Sequence, residues 1–432
     1  MTDPAELGVV DAVTSLSSGA VTASDLTEAC LARISSDHGR ALNAFIHVAG
    51  DMALETARAS DKRRAQGNPH SPLDGVPIAI KDNIDVLGMP TTNGLATQWL
   101  PKADAPVIAR LRDAGMIFLG KLNMHEGALG ATTDNAHHGR CMHPDYPGYT
   151  PGGSSGGSAA AVGGHLCPVA LGTDTMGSVR LPAAYCGVVG FKPSRDYWPL
   201  DGVMPLGRGL DMIGPLARSV ADVAAVLGER IEQRDLGAIQ FGCLDFAGCV
   251  DVEPQCQSAL DAALARLTAE GAQFNPIVFP GQDFGRTRRA GFIVSEVDGA
   301  AAHDRLLDEQ PEAFSSEFLS MLNYGRRVSP ERYAAEKQMI QAAGKALISL
   351  FDDHDVLVTL TAPQRTFAFD TPVPVNQADL TAPANFAGCP AISLPLPVAD
   401  IERPVGLQLM SAPGTDNALL SIAVQIETAL QS

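Results

Sequence analysis

Lys81, Ser154 and Ser178 have the side-chain types and the setting that cleavage of an amide or ester would require. A serine alcohol is a poor nucleophile until a base takes its proton. Both serines lie in the stretch from Pro151 to Ser194, PGGSSGGSAAAVGGHLCPVALGTDTMGSVRLPAAYCGVVGFKPS. Its opening, Gly152 to Gly157, is too rich in glycine for regular structure, whereas Ser158 to Val162 begins a good helix. An apolar strand, His165 to Gly172, comes next, and a second tight turn, Thr173 to Ser178, follows it. Loop, helix and strand in succession return the chain to its starting level, so Ser154 and Ser178 can sit side by side. The second turn also offers successive backbone N–H groups with glycine at hand, the makings of an anion-binding concavity for a tetrahedral oxyanion. Asp174 and Arg180 flank it, and a buried pair that holds the turn rigid is their expected role.

The base is sought upstream, in LDGVPIAIKDN, where Lys81 closes an apolar strand. Desolvation favours the neutral amine, and a neutral amine is a general base. A lysine that snorkels to the surface or pairs with Asp82 fits the same residues equally well.

The elements that must position these groups are short apolar runs alternating with helical patterns. Strands are expected at Val76–Ile80, Met116–Leu119, Val169–Gly172, Val188–Phe191, Ile239–Cys243, Ile277–Phe279, Val356–Leu360, Ile392–Leu396 and Val405–Leu409. Helix-length segments such as Val107–Ala114, Gln255–Glu270 and Asn417–Leu430 lie between them, the pattern of an α/β sandwich with a buried sheet. Near the N-terminus Leu26, Cys30 and Ile34 mark one helix face, with Ser24 as a candidate cap, and a polar stretch from Ser60 to Asp74 follows a second helix. One domain with one continuous core is expected over residues 1–432, with residues 300–350, almost wholly helical, forming a cap or subdomain beside the sheet.

Composition narrows the partners. The 432 residues carry 49 acidic against 31 basic side chains, a formal charge of −18, with no long basic run. Nucleic acid and anionic membrane surfaces reward clustered positive charge and are poor partners for such a chain. No apolar stretch reaches eighteen residues and MTDPAELGVV lacks a secretory layout, so a cytoplasmic protein is expected. The eight cysteines form no CxxC pair and read as small buried hydrophobes.

Three competing motifs are weaker. Gly153-Ser-Ser155-Gly-Gly157 fits a nucleophile elbow with Ser155 as nucleophile, but such an elbow follows a strand, and HPDYPGYTPGG is a proline-broken loop. Gly115 to Lys121 copies part of a phosphate-binding loop, yet Leu122 stands where the metal-binding hydroxyl belongs. His137, His138, Cys141 and His143 are plausible ligand types without two well-separated ligand pairs. No dinucleotide or pyridoxal motif stands out, so neither a cofactor nor a metal is expected.

The same segments resemble the amidase signature family. GGSSGGS, then GTDxxGSxRxPA, then GxKPS is its hallmark order; GVPIAIKDN, GKLNMHE (Gly120 to Glu126) and LDMIGPLARSVAD (Leu210 to Asp222) resemble its other motifs. Asp355-Val-Leu-Val-Thr, Ala384 to Ser393 and Val405-Gly-Leu-Gln408 extend the likeness across nearly the whole chain. The resemblance implies an α/β/α sandwich around a central twisted mixed sheet, with a signature core over about residues 73–222. It implies Lys81 as base, Ser154 as a bridging serine after a cis peptide, Ser178 as nucleophile, and an oxyanion hole on the N–H groups of Thr175, Met176, Gly177 and Ser178. Ser155, Asp174 and Arg180 would support them. The activity implied is hydrolysis of a C–N bond in a small amide, carbamoyl or aryl amide substrate through an acyl-enzyme, releasing ammonia or an amine, and a homodimer is common among similar proteins. The alternatives are a glutaminase-type A subunit of a tRNA-dependent amidotransferase and a non-catalytic binding subunit.

Two departures bear on substrate. Met176 replaces the family's usual glycine or alanine, so its side chain either narrows the acyl pocket or fills the core. The loop from Asn135 to His143, with His138, differs from relatives and is a candidate for shaping the site. Arg208 occupies a position where allophanate hydrolases bind a substrate carboxylate; a surface arginine is the plainer reading.

Overall fold

Runs of apolar residues bounded by glycine and proline become strands, and the segments between them become helices. The computed structural model describes residues 3–246, 248–279, 283–397 and 402–431. Its strands are β1 (Phe45–Val48), β2 (Pro77–Lys81), β3 (Ile117–Leu122), β4 (Asp134–Asn135), β5 (Gly139–Arg140), β6 (Val169–Asp174), β7 (Val189–Lys192), β8 (Met212–Ala217), β9 (Gln240–Leu244), β10 (Gln273–Ile277), β11 (Val356–Leu360), β12 (Ala391–Pro395) and β13 (Gly406–Ser411). β4 and β5 form a small hairpin, and the rest make one 11-stranded sheet in the order β1-β3-β2-β6-β8-β7-β12-β13-β11-β9-β10. The sheet is mixed: β3, β2 and β6 run parallel, β8 to β13 pair antiparallel across the centre, and β11, β9 and β10 are parallel again. Every residue of β2, β3, β6, β7, β8, β11 and β13 is buried, because helices cover both faces.

The register of two strands sets up the site. Ala79 of β2 lies opposite Ala170 of β6, and Ile80 opposite Leu171. Lys81 therefore ends its strand where β6 reaches Gly172 and Thr173, at the carboxyl ends of parallel strands, where α/β sheets hold their ligands.

Several boundaries differ from the sequence reading for physical reasons. Ile277–Phe279 shares only Ile277 with β10, an edge strand of mixed exposure that tolerates Pro276 because it has a partner on one side only. β1, β8 and the short β4 and β5 lie outside the strands that the sequence pattern predicts. β8 contains Gly214-Pro215, which reads as a turn, but its ladder to β7 stops at Leu216, so Pro215 meets no partner there. The cap of the helix Ala23–Ser35 is Thr22, in a capping box with Asp25, whereas the Ser24 hydroxyl donates to Asp61. The helix Gly50–Ala65 runs on into the polar stretch.

The helical region begins earlier than residue 300. Helices Phe284–Ala302, Asp304–Glu309, Ser316–Arg327 and Pro330–Ser349 follow one another, the first containing Gly285, Gly291 and Gly299, which dilute its helical signal. The main hydrophobic cluster follows the sheet from Val9 to Leu430. Instead of one continuous core, two smaller clusters lie under these helices, one around Met176 and Phe386 and one around Leu95 and Phe318. Six cysteines are buried as expected, Cys243 is half-buried and Cys249 is exposed. No helix among the described residues is long and apolar enough to cross a membrane.

Candidate active site

The lysine at the end of β2 has no exposed surface, and it neither snorkels nor pairs with its neighbour. Asp82 faces Lys121 instead, with Nζ 3.2 Å from Oδ1. Lys81 Nζ lies 2.7 Å from Ser154 Oγ, 2.8 Å from Thr173 Oγ1 and 3.4 Å from the Thr173 carbonyl. Burial pushes its ammonium down from the ordinary 10.5 to about 7, with Asp174 and Asp211 pulling the other way. At that value a large fraction of the amine is neutral near pH 7.

The two glycine-rich turns meet beside it. The Gly153–Ser154 peptide is cis, and Ser154 is fully buried, its carbonyl accepting from His125 N–H at 3.0 Å. Ser155 follows as the residue capping the helix Gly156–Gly163. Its hydroxyl donates to the Thr173 carbonyl at 3.1 Å, and its N–H donates to the Ser178 carbonyl at 3.2 Å. That second bond stitches one turn to the other. The fit is close: a methyl group at Gly172 would come within 2.7 Å of Ser155 Oγ. Ser155 is absent from the pocket wall and its hydroxyl is already engaged by Thr173, whereas Ser178 is half-buried and lines the pocket. Among the described residues no hydrogen bond joins the Ser178 hydroxyl to Ser154; the link between the two turns is the backbone one.

Asp174 and Arg180 clamp the turn that carries Ser178. Arg180 donates from Nε to Asp174 Oδ2 at 3.0 Å and from Nη2 to Oδ1 at 2.9 Å, with both side chains fully buried. The same guanidinium reaches the Thr381 carbonyl at 2.9 Å, Gln408 Oε1 at 2.6 Å and Asn385 Oδ1 at 2.6 Å. Burial works against a charge on Asp174, but Arg180 outweighs it and holds the carboxyl well below the usual carboxylate range. Asp174 Oδ1 also accepts the Gly177 N–H at 2.7 Å. Of the four backbone donors expected to form an anion hole, Gly177 is thus turned away; the N–H groups of Thr175, Met176 and Ser178 have no hydrogen-bond acceptor among the described residues. Gly177 itself has φ +132, and a methyl there would lie 2.3 Å from Thr381 Oγ1, so the position demands glycine.

The pocket in front of Ser178 is narrow, about 40 Å³, and mostly apolar, walled by residues such as Leu129, Met176, Leu181, Leu206, Phe292 and Ser295. Met176 meets both expectations at once. It lines this pocket, and it packs into the cluster with Leu181, Tyr185 and Phe386, its sulfur so close to Gly291 that a methyl there would lie 2.4 Å away.

Other candidates lie elsewhere. Arg208 is exposed and absent from the pocket wall, and its backbone N–H donates to Asp298 at 2.8 Å. His138 is held by Thr92 Oγ1 at 3.2 Å and the Leu95 carbonyl at 3.1 Å, so it braces a neighbouring loop. His137 meets Glu126 at 3.2 Å and His143 meets the Tyr185 carbonyl at 2.7 Å, while Cys141 is buried; the three histidine rings serve separate contacts.

The structure adds residues that the sequence reading passed over: Thr173 as second partner of Lys81, Asn83 donating to Thr173 Oγ1 at 3.0 Å, and Asp211 accepting from Thr175 Oγ1 at 2.6 Å. Asn83 was signalled by its place in the lysine motif. Thr173 and Asp211 look like ordinary turn residues in sequence.

Comparison with known proteins places the chain in a family and matches its fold. The Amidase family model matches residues 25–420. The A subunit of the glutamyl-tRNA(Gln) amidotransferase from Chloroflexus aggregans is 33% identical, the match covering 98% of this chain and 96% of the relative. Its counterpart from Chloroflexus aurantiacus is 34% identical over the same shares. Among solved structures, one described as an amidase superposes with a TM-score of 0.92 at 30% identity, covering 98% of this chain and 100% of its own. A 6-aminohexanoate cyclic dimer hydrolase in complex with its substrate does so with 0.87 at 25% identity, over 100% and 98%.

Proposed function

We propose, from the premise that this chain belongs to the amidase family, that it is a C–N amide hydrolase in which Ser178 attacks, Ser154 relays the proton and Lys81 receives it. The observation that carries the reading is the 2.7 Å contact between Lys81 Nζ and Ser154 Oγ, inside a site that lowers the amine to about 7. A neutral amine has two protons and one lone pair. With its protons directed to the Thr173 hydroxyl and carbonyl, the lone pair faces Ser154.

The cycle follows from those positions. Ser178 Oγ adds to the carbonyl carbon of the amide as its proton passes to Ser154, whose own proton moves to Lys81. The N–H groups of Thr175, Met176 and Ser178 receive the developing oxyanion. The relay then runs in reverse to protonate the leaving nitrogen, the C–N bond breaks, and ammonia or an amine departs. Water repeats the addition on the acyl-Ser178 ester and releases the acid. Asp174 and Arg180 act by fixing the turn, and the reaction calls on no cofactor. The free thiols suit a cytoplasmic enzyme.

The test is an activity screen over small aliphatic amides, aryl amides, carbamates and ureas, with release of ammonia or amine as the readout. Ser178→Ala should abolish turnover and fluorophosphonate labelling, by several orders of magnitude for a triad member. Full turnover in Ser178→Ala together with a dead Ser155→Ala would overturn the assignment.

A second reading draws on the relatives themselves: the two Chloroflexus amidotransferase proteins match along nearly their whole length. As a component of that kind the chain would release ammonia from glutamine and need a partner to use it. Glutaminase activity that appears only with a co-purified protein would favour this reading over the stand-alone amidase.

A further inference from the structure

Ser295 lies within the helix Phe284–Ala302 and has no exposed surface. It forms part of the wall of the pocket in front of Ser178, and its hydroxyl has no hydrogen-bond partner among the described residues. Buried polar atoms are nearly always paired. An unpaired hydroxyl in a pocket wall marks a place where a bound molecule supplies the partner. Its height in the pocket is fixed by Gly207, where an added methyl would lie 3.2 Å from Ser295 Oγ and 3.0 Å from Thr175 Cγ2. The hydroxyl thus stands close to the turn that carries the anion-binding N–H groups.

The rest of the wall defines what else fits. Ala128, Leu129, Ala131, Leu181, Leu206 and Phe292 are apolar, and no lining residue is charged. An ionised acyl group would enter without a counter-ion, at a cost of several kcal/mol. At roughly 10–15 Å³ per water-sized occupant, the 40 Å³ holds about three or four heavy atoms.

We propose that Ser295 is a specificity-determining residue that hydrogen-bonds one neutral polar group near the end of a short acyl chain. The preferred substrates are amides of small hydroxylated or otherwise uncharged polar acids. Plain alkyl amides of the same length leave the hydroxyl unpaired, and anionic ones are excluded. This rests on the reading of Ser178 as nucleophile, and it adds the chemical class of the acyl group.

The experiment uses 4-nitrophenyl esters, whose activated leaving group makes acylation report on the acyl pocket alone. 4-Nitrophenyl 3-hydroxypropanoate and 4-nitrophenyl butanoate have acyl groups of equal heavy-atom count that differ in one hydroxyl. In wild type, kcat/KM should favour the hydroxylated ester roughly tenfold, the worth of one buried hydrogen bond. In Ser295→Ala the ratio should fall to about one. Fluorophosphonate labelling of Ser178, read by intact mass, separates the two levels of failure. An unlabelled Ser178 in wild type overturns the nucleophile and this inference with it. A labelled Ser178 with the same ester ratio in wild type and Ser295→Ala, or with neither ester forming an adduct, overturns the inference alone.

Discussion

Replacing Lys81 by methionine should make the protein more stable and inactive at the same time. The amine titrates at about 7 in the folded chain against 10.5 when exposed, because burial disfavours its charge. The unfolded chain therefore binds a proton that the folded one gives up. The resulting penalty on folding is full below about pH 7 and fades as the pH rises towards 10.5. The two pKa values set it at roughly 4 kcal/mol at pH 7 and roughly 2 kcal/mol at pH 9. Against it stand the hydrogen bonds to Ser154 and Thr173, about 1 kcal/mol each. Methionine has nearly the same length and no charge to desolvate. Lys81→Met should thus gain about 2 kcal/mol at pH 7, near 2 °C in Tm for a chain of this size, and nothing at pH 9. Urea unfolding of both proteins at the two pH values measures the difference, with amide turnover followed in parallel. A variant that is less stable than wild type at pH 7, by an amount that does not change at pH 9, would refute the idea of a lysine strained by burial.

Two further outcomes follow from the same geometry. The kcat/KM of a neutral amide should climb with pH along a limb centred near 7, where Lys81 loses its proton, and level off above it; a limb centred above pH 9 would remove Lys81 from the base role. Arg180→Met leaves Asp174 buried without its cation and should cost roughly 3–5 kcal/mol in denaturant unfolding, and a loss below about 1 kcal/mol would show that the pair does not hold the turn.

The parts of the molecule that were legible in the sequence are those whose environment is written locally. β2 and β6 are apolar runs because both faces of the sheet are covered, and the glycine pattern around Ser154 announces turns that no other residue would fit. The Asp174 and Arg180 pair could be anticipated because both residues flank one turn. Long-range choices were invisible. Nothing near Lys81 reveals that Asp82 will face Lys121, since both partners stand at adjacent strand ends and only the register decides. The Gly177 N–H was expected among the anion-binding donors, but the Asp174 carboxylate sits three residues back and captures it. Met176 could not be resolved by spacing because its neighbour is Gly291, more than a hundred positions away. Ser295 carried no motif at all, and only the fold brings it into the wall of the pocket beside Ser178.

Besides Asp174, the guanidinium of Arg180 touches Thr381, Asn385 and Gln408, so the Ser178 turn is anchored in part by groups that leave the ribosome some two hundred residues later. A growing chain that has already produced Lys81, Ser154 and Ser178 still lacks those fastenings. The setting of that turn is thus a late event in the life of a nascent chain, waiting on residues 381–408.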